Sequence, residues 1–176
     1  MSSKNGIIII NTGPGKGKTT AALGAALRAL GHGWRVCLVQ FVKSPERESG
    51  EHKAAAVFGG RLEIHTLGEG FIFDNRDQSQ HREAARAAWD TAKDKITSGD
   101  YPLVILDEIS YPLSFGFLDA QELLEALRRR PAHVHVVLTG RDMPAAVIQA
   151  ADLVTVMAEE KHPFHQGRKN IEGIDY

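Results

Sequence analysis

A segment rich in glycine and lysine follows the first aliphatic run of the chain. It reads Thr12-Gly13-Pro14-Gly15-Lys16-Gly17-Lys18-Thr19-Thr20 and leads directly into an alanine-rich stretch. Glycines let backbone N–H groups turn toward phosphate oxygens, and the start of a helix adds partial positive charge. Lys18 can reach the outer phosphates, and the Thr19 hydroxyl is an oxygen ligand of the kind that Mg²⁺ prefers. The segment therefore predicts a site for a triphosphate.

The spacing of this segment is one residue shorter than the common phosphate-binding pattern G-x-x-x-x-G-K-[ST]. That pattern requires a glycine where Thr12 stands, or one more residue between Gly13 and Gly17. Lys18 also occupies the last glycine position of the dinucleotide pattern G-x-G-x-x-G. We therefore expect a tighter loop that holds the triphosphate in a different register. Transfer of the terminal phosphoryl group does not follow from such a loop.

Two adjacent carboxylates, Asp107 and Glu108, end an aliphatic run that begins at Leu103. In a parallel sheet this strand end is expected beside the phosphate-binding loop, where a carboxylate can complete a Mg²⁺ shell opposite Thr19. Neighbouring strand residues point to opposite faces, so the two carboxylates cannot both aim at the ion in the same way. One of the two is expected to be the ligand, directly or through water.

Aliphatic runs that predict strands alternate with segments of helical periodicity. Strands are expected at residues 7–10, 35–42, 62–67, 103–106, 133–139 and 153–157, and helices around 23–30, 85–96 and 119–130. The third helix begins with Asp119 and Glu122 in capping-box spacing. The alternation predicts an α/β fold with a doubly wound, mostly parallel sheet that binds ligands beyond the carboxyl ends of its strands. Residues 43–50 and 159–176 fit no element and are expected to be solvated connections or ligand-contacting loops.

Composition narrows the possible functions. The 176 residues are 43% hydrophobic, which suits one compact domain. The 21 Lys and Arg residues balance 22 Asp and Glu residues, which argues against a nucleic-acid groove. Aliphatic runs such as residues 7–10 are too short to span a membrane, and no secretion signal is evident, so we expect a cytoplasmic protein. Cys37 is the only cysteine, which excludes an intrachain disulfide or a cysteine metal cage.

Segments spread over nearly the whole chain resemble the ATP:corrinoid adenosyltransferases of the CobA/BtuR class. They are GPGKGKTT at 13–20, ALGHG at 29–33, VQFVK at 39–43, GFIF at 70–73, LDEISY at 106–111, TGR at 139–141, KHPF at 161–164 and GIDY at 173–176. The short phosphate-binding loop is itself a trait of this family. The resemblance implies one P-loop NTPase domain of RecA-like type over residues 1–176, with 159–176 as an active-site tail.

The resemblance implies that the cobalt of cob(I)alamin, or of an earlier reduced corrinoid, attacks the 5′-carbon of ATP and releases triphosphate. Residues 12–20 and Arg141 then bind ATP, while Lys18, Thr19 and Glu108 are catalytic. Mg²⁺ or Mn²⁺ is expected on Thr19 with Glu108 or Asp107. The resemblance also implies a homodimer and a flavoprotein reductase that delivers the electron, with no nucleic-acid or membrane partner.

The resemblance further places Phe71 and Phe73 against the corrin, where they displace the lower axial base of the cobalt. The family commonly has Trp where Phe73 stands, and Phe keeps the apolar bulk without the indole N–H. Without the resemblance, both rings would be interpreted as core residues. His162 is a candidate for contact with the corrin or the nucleotide. The other tail candidates, Lys161 and Lys169, would contact the nucleotide.

The first strand begins soon after Met1, whereas some relatives carry a longer N-terminal segment over the active site. We expect either the tail to replace this cover or the corrinoid site to be more open. Three other functions fit parts of the pattern. A nucleic-acid ATPase would show a basic face, a small-molecule kinase would release ADP, and a corrinoid carrier would bind without turnover.

Overall fold

A computed structural model of the chain describes residues 5–46, 48–70 and 78–175. Within these ranges, six parallel strands form one sheet in the order β3-β2-β4-β5-β1-β6. The strands are β1 Ile8–Thr12, β2 Val36–Gln40, β3 Leu62–Thr66, β4 Leu103–Asp107, β5 His135–Thr139 and β6 Leu153–Val156. The helices are α1 Lys18–Gly31, α2 Gly50–Ala55, α3 Ser79–Ser98, α4 Ser110–Ser114, α5 Ala120–Arg129 and α6 Ala145–Gln149, with 3₁₀ turns at Ala56–Phe58 and Pro163–Gln166.

Helices cover both faces of the sheet and enclose two hydrophobic clusters. On one face, α3 and α5 contribute Trp89, Ile96, Leu123 and Leu127, all nearly inaccessible to solvent. On the other face, α1 contributes Ala22, Ala26 and Leu30. The α/β class with a doubly wound parallel sheet is therefore confirmed. None of the helices in the described part of the chain is long and apolar enough to span a bilayer.

All six predicted strands are present, and their ends differ from the prediction by at most two residues. The three predicted helices are present as α1, α3 and α5. The helices α2, α4 and α6 were not predicted, because five or six residues are too few to show helical periodicity. The predicted loop at residues 43–50 therefore ends where α2 begins.

The capping box predicted at the start of α5 is wrong. Asp119 does cap the helix, since its carboxylate accepts the N–H of Gln121 at 2.8 Å. The carboxylate of Glu122, however, accepts a hydrogen bond from Arg86 of α3 at 2.8 Å. A charge-assisted bond to the neighbouring helix has replaced the local bond that the spacing suggested.

Candidate nucleotide site

The phosphate-binding loop, residues 12–20, turns sharply between β1 and α1. Gly13 and Gly17 adopt φ angles of 99° and 103°, which L side chains rarely tolerate. Lys18 is the first residue of α1, and only 6% of it is exposed. Its ammonium donates to the carbonyl oxygens of Gly13 at 3.0 Å and Gly15 at 2.8 Å. The positive charge of Lys18 is thus held inside the curve of the loop.

Charged residues predicted for the site surround Lys18. Burial lowers the pKa of Lys18, and the nearby charge of Arg141 lowers it further, while Glu108 and Asp107 raise it. Hydrogen bonds place these residues together, since Thr19, next to Lys18, bonds to Asp107, and Thr139, two residues before Arg141, bonds to both Asp107 and Glu108. Arg141 is exposed, yet its guanidinium still lies close enough to act on Lys18.

A network of hydroxyl groups fixes the carboxylate of Asp107. The Thr19 and Thr139 hydroxyls both donate to its Oδ1 atom, each at 2.7 Å. The Thr139 hydroxyl in turn accepts the backbone N–H of Glu108 at 2.9 Å. Burial raises the pKa of Asp107, and these two hydrogen bonds act against that rise. Thr139 was not assigned a role from the sequence, although it ends β5, the strand between β4 and β1.

Glu108 follows Asp107 and has an unusual backbone conformation. Its φ angle of 60° is left-handed, a conformation that costs a residue with a side chain roughly 1–2 kcal/mol. Among the residues that the structure describes, the Glu108 carboxylate makes no hydrogen bond or ion pair. Burial and the charge of Asp107 raise its pKa, while Lys18 and Arg141 act in the opposite direction. The carboxylate of Glu108 is thus available to bind a ligand near Lys18.

The chain after β6 supports the phosphate-binding loop. Gly15 donates its N–H to the carbonyl of Met157 at 2.8 Å, and Met157 donates its own N–H to Thr12 at 2.8 Å. A Cβ atom on Gly15 would lie 2.4 Å from the carbonyl oxygen of Ala158, too close for any side chain. The N–H of Gly15 is therefore not free to bind a phosphate, and glycine is needed here because a side chain would not fit. This differs from the prediction that successive N–H groups of the loop face the phosphates.

The C-terminal tail returns to the phosphate-binding loop. One carboxylate oxygen of Asp175 forms an ion pair with the Lys16 ammonium, and the other accepts the N–H of Ile171 at 2.7 Å. Gly173, Ile174 and Asp175 line a cavity of about 420 Å³ together with Thr19 and Thr20. The predicted active-site tail is therefore adjacent to the predicted ATP site.

Three tail residues, Glu159, His162 and His165, form a cluster near Arg141. The carboxylate of Glu159 is bonded to Nε2 of His165 at 2.6 Å, and this bond, together with the charges of His165, His162 and Arg141, lowers its pKa. The His162 ring packs edge-on against His165, with 6.0 Å between the ring centroids. These contacts place His162 and Arg141 in one neighbourhood.

For four predicted site residues, the described part of the structure offers no test of their roles. Lys161 and Lys169 are exposed in the tail. Phe71 and Phe73 lie outside the described residues. Their predicted contacts with the nucleotide and the corrin stay predictions.

The sequence profile of one protein family, described as ATP:corrinoid adenosyltransferase BtuR/CobO/CobP, matches residues 4–176. This chain belongs to that family. It is 38% identical to the corrinoid adenosyltransferase of Pseudomonas aeruginosa over 173 residues, which are 98% of this chain and 85% of the relative. The Escherichia coli corrinoid adenosyltransferase is also 38% identical, over 98% of this chain and 87% of its own length. The predicted family membership is confirmed.

A solved structure shares the fold of this family member. The flagellar accessory protein FlaH from Methanocaldococcus jannaschii matches 86% of this chain and 71% of its own length with a TM-score of 0.62. The two sequences are only 12% identical. The likeness therefore shows the fold alone.

Replacing Gly15 with alanine should disturb the phosphate-binding loop of this adenosyltransferase family member. The new Cβ would collide with the Ala158 carbonyl, so the loop or the chain after β6 must shift. We expect a loss of about 1–3 kcal/mol of stability, typical of overpacking, and weaker ATP binding. Chemical unfolding and calorimetric titration with ATP measure the two effects.

Gly24→Ala is the matched control, because Gly24 lies in α1 with open space around its Cβ position. Alanine there should stabilise the helix by up to about 1 kcal/mol and leave ATP affinity unchanged. Equal behaviour of the two variants would refute the proposed packing constraint.

Asp175→Asn should raise the affinity of the chain for ATP. Unlike a carboxylate anchored to the sheet, that of Asp175 is held by the N–H of Ile171 within the same tail, and it occupies the Lys16 ammonium that is predicted to bind triphosphate, so the two anions compete. Because 48% of the Lys16 side chain is exposed, the ion pair is weak, and we expect a gain of about two- to fivefold in affinity. Calorimetric titration measures this gain in affinity.

Glu172→Gln is the control, since the Glu172 side chain is 77% exposed. Weaker ATP binding by Asp175→Asn would show that the tail assists binding.

Proposed function

We propose that the chain transfers the 5′-deoxyadenosyl group of ATP to the cobalt of a reduced corrinoid and releases triphosphate. The match of residues 4–176 to the adenosyltransferase family carries this proposal. The arrangement of Lys18, Thr19, Asp107 and Glu108 agrees with it, since these groups suit a magnesium-bound triphosphate. The product serves the synthesis or salvage of adenosylcobalamin.

The reaction requires positioning and charge neutralisation more than proton transfer. A cobalt electron pair forms the bond to the 5′-carbon, and the carbon–oxygen bond breaks with its electrons leaving on the triphosphate. Negative charge therefore grows on the leaving group, where fixed cations and N–H groups stabilise it. We assign this role to Lys18 and to the N-terminal end of α1, whose positions in the loop support the assignment. The loop also holds ATP so that its 5′-carbon is open to attack.

The oxygen atoms at the site fit a divalent cation such as Mg²⁺ or Mn²⁺. In the described part of the chain, no group of three or more His, Cys, Asp or Glu residues could hold a metal by itself. An ion here would share protein and phosphate oxygens, as Mg²⁺ commonly does. The Thr19 hydroxyl gives its hydrogen to Asp107, which leaves its lone pairs for a cation. We assign Thr19 and Glu108 as ligands and Asp107 as the residue that orients Thr19. The bound cation would neutralise charge on the triphosphate.

The remaining parts of the proposal rest on the family resemblance. Phe71 and Phe73 are proposed to lie against the corrin, and His162 is proposed to contact it from the tail. A flavoprotein reductase is proposed to supply the electron that produces cobalt(I). We further propose that the protein is a cytoplasmic homodimer.

Anaerobic incubation with ATP, Mg²⁺ and chemically reduced cobalamin tests the proposed function. We expect the absorbance spectrum of a light-sensitive cobalt–carbon product and an equal amount of inorganic triphosphate. Release of ADP would indicate a kinase, and release of phosphate an ATPase. Bound corrinoid without any product would indicate a carrier. Each of these three outcomes would contradict adenosyl transfer.

A further inference from the structure

A buried polar network at the ends of β2 and β3 holds the ammonium of Lys43. Gln40 is completely buried, and its side-chain amide donates to Oε1 of Glu51 at 3.0 Å. The Lys43 ammonium forms an ion pair with the same oxygen atom. The Thr66 hydroxyl donates to the carbonyl of the Gln40 side chain at 2.8 Å. The Gln40 side chain thus holds the Glu51 carboxylate in place while that carboxylate binds Lys43.

The network continues into α2 and makes this arrangement rigid. His52 is bonded to the Thr66 hydroxyl at 2.7 Å and to the Ser49 hydroxyl at 2.9 Å. Burial alone would raise the pKa of Glu51, but hydrogen bonds from Lys43 and Ser49 outweigh it and lower the pKa to about 2. Glu51 therefore carries a negative charge at neutral pH and holds a positive charge opposite it.

Lys43 borders a cavity that reaches the end of the phosphate-binding loop. It lines the cavity of about 420 Å³ with Thr19 and Thr20, the residues that follow the phosphate-binding lysine. Burial raises the pKa values of Asp107 and Glu108, and the positive charge of Lys43 acts against that rise at both carboxylates. The side chain of Lys43 is 31% exposed, whereas that of Glu51 is 9% exposed. Glu51 also lines this cavity, so both members of the ion pair border it, and Lys43 is the more exposed of the two.

We propose that Lys43 is a third lysine, besides Lys16 and Lys18, that contacts the triphosphate of ATP, and that Glu51 is its positioning residue. The inference rests on the proposed function, because it takes the triphosphate as the group to be held. A triphosphate carries more negative charge than two ammonium groups neutralise. An ammonium already fixed by Glu51 loses little side-chain freedom when a phosphate binds.

Alternatively, the ion pair could serve only to hold α2 against the chain that follows β2. A partly buried ion pair is weak evidence for a role in stability, since its desolvation offsets much of the attraction between the charges. A ligand contact predicts that bound triphosphate shields the Lys43 ammonium from a labelling reagent, and a purely structural ion pair predicts no such shielding.

Amine labelling of the unmodified protein tests the proposal without any mutation. The chain is acetylated with and without saturating inorganic triphosphate and Mg²⁺, and each lysine is followed by mass spectrometry. We expect triphosphate to slow the labelling of Lys43 severalfold and to leave the exposed Lys93 unchanged. Equal labelling of Lys43 in both conditions would overturn the proposal.

Calorimetric titration with inorganic triphosphate and Mg²⁺ gives a second test. Lys43→Met should weaken binding about tenfold, in line with the loss of one charge-assisted contact. Glu51→Gln should give a smaller loss, and Lys43→Arg should retain most of the affinity. Lys93→Met is the matched control and should bind as the unmodified protein does. Circular dichroism and thermal unfolding show whether each variant is folded.

A folded Lys43→Met variant that binds triphosphate like Lys93→Met would contradict the proposal. If Lys43→Met does not fold, the labelling experiment on the unmodified protein decides the question. Neither experiment contains a corrinoid, so both remain informative if adenosyl transfer is not observed. Failure of the proposed function is therefore distinguishable from failure of this inference.

Discussion

Lys18→Ala is expected to lower kcat/KM for adenosyl transfer by roughly 30- to 1,000-fold, a loss of about 2–4 kcal/mol of transition-state stabilisation. The Lys18 ammonium is held by the carbonyls of Gly13 and Gly15, and water has little access to it. Its charge is therefore weakly screened and already in place when negative charge grows on the leaving triphosphate. The cost should appear in kcat as well as in ATP binding.

The rate of formation of the light-sensitive cobalt–carbon product, measured over a range of ATP concentrations, checks this expectation. Lys93→Ala is the control, because it removes a lysine from an exposed position of α3. Lys18→Arg should also lose much of the activity, since a planar guanidinium cannot reproduce the compact ammonium between two carbonyls. Turnover at the unmodified rate by a folded Lys18→Ala variant would refute the role assigned to the loop.

The parts of the site that could be predicted are those whose chemistry lies in consecutive residues. Lys18 and Thr19 follow a glycine-rich turn, and Asp107 ends a strongly aliphatic strand. Each pattern fixes both the residue type and its place at the edge of a parallel sheet. The alternation of strands and helices predicted the fold for the same reason, because hydrophobic periodicity is a local property of the chain.

The missed features depend on contacts between distant parts of the chain. Thr139 binds the carboxylate of Asp107 only because β5 lies beside β4. Gly15 needs to be glycine because the backbone of Ala158 approaches it after β6 has joined the sheet. Neither contact leaves a signal in the spacing of a single sequence.

The ion pair of Lys43 and Glu51 was missed for a related reason. Residues 43–50 were polar and without periodicity, which is equally typical of a solvated connection and of a ligand-contacting loop. The deciding observation is the network through Gln40 and Thr66, which joins β2 and β3 and buries the carboxylate behind the lysine. The predicted capping box at Glu122 failed in the same way, because Arg86 on a neighbouring helix offered a stronger partner.

Glu108→Gln is expected to lower adenosyl transfer by about 100-fold and to raise the Mg²⁺ concentration that the reaction requires. Glu108 presents an uncommitted carboxylate near Lys18, and removing its charge would remove a direct ligand of a hard cation. Asp107→Asn should cost only about tenfold, the lower end of the range for residues that orient a metal ligand. The asparagine carbonyl can still accept the hydroxyls of Thr19 and Thr139.

Titrating product formation with Mg²⁺ at saturating ATP separates the two carboxylates. Glu125→Gln on the exposed face of α5 serves as the control for loss of a carboxylate. Thermal unfolding of each variant excludes a loss of fold as the cause of a lower rate. If Asp107→Asn shifts the Mg²⁺ requirement more than Glu108→Gln does, then the buried carboxylate is the direct ligand. In that case the left-handed backbone of Glu108 would not serve to direct its carboxylate toward the cation.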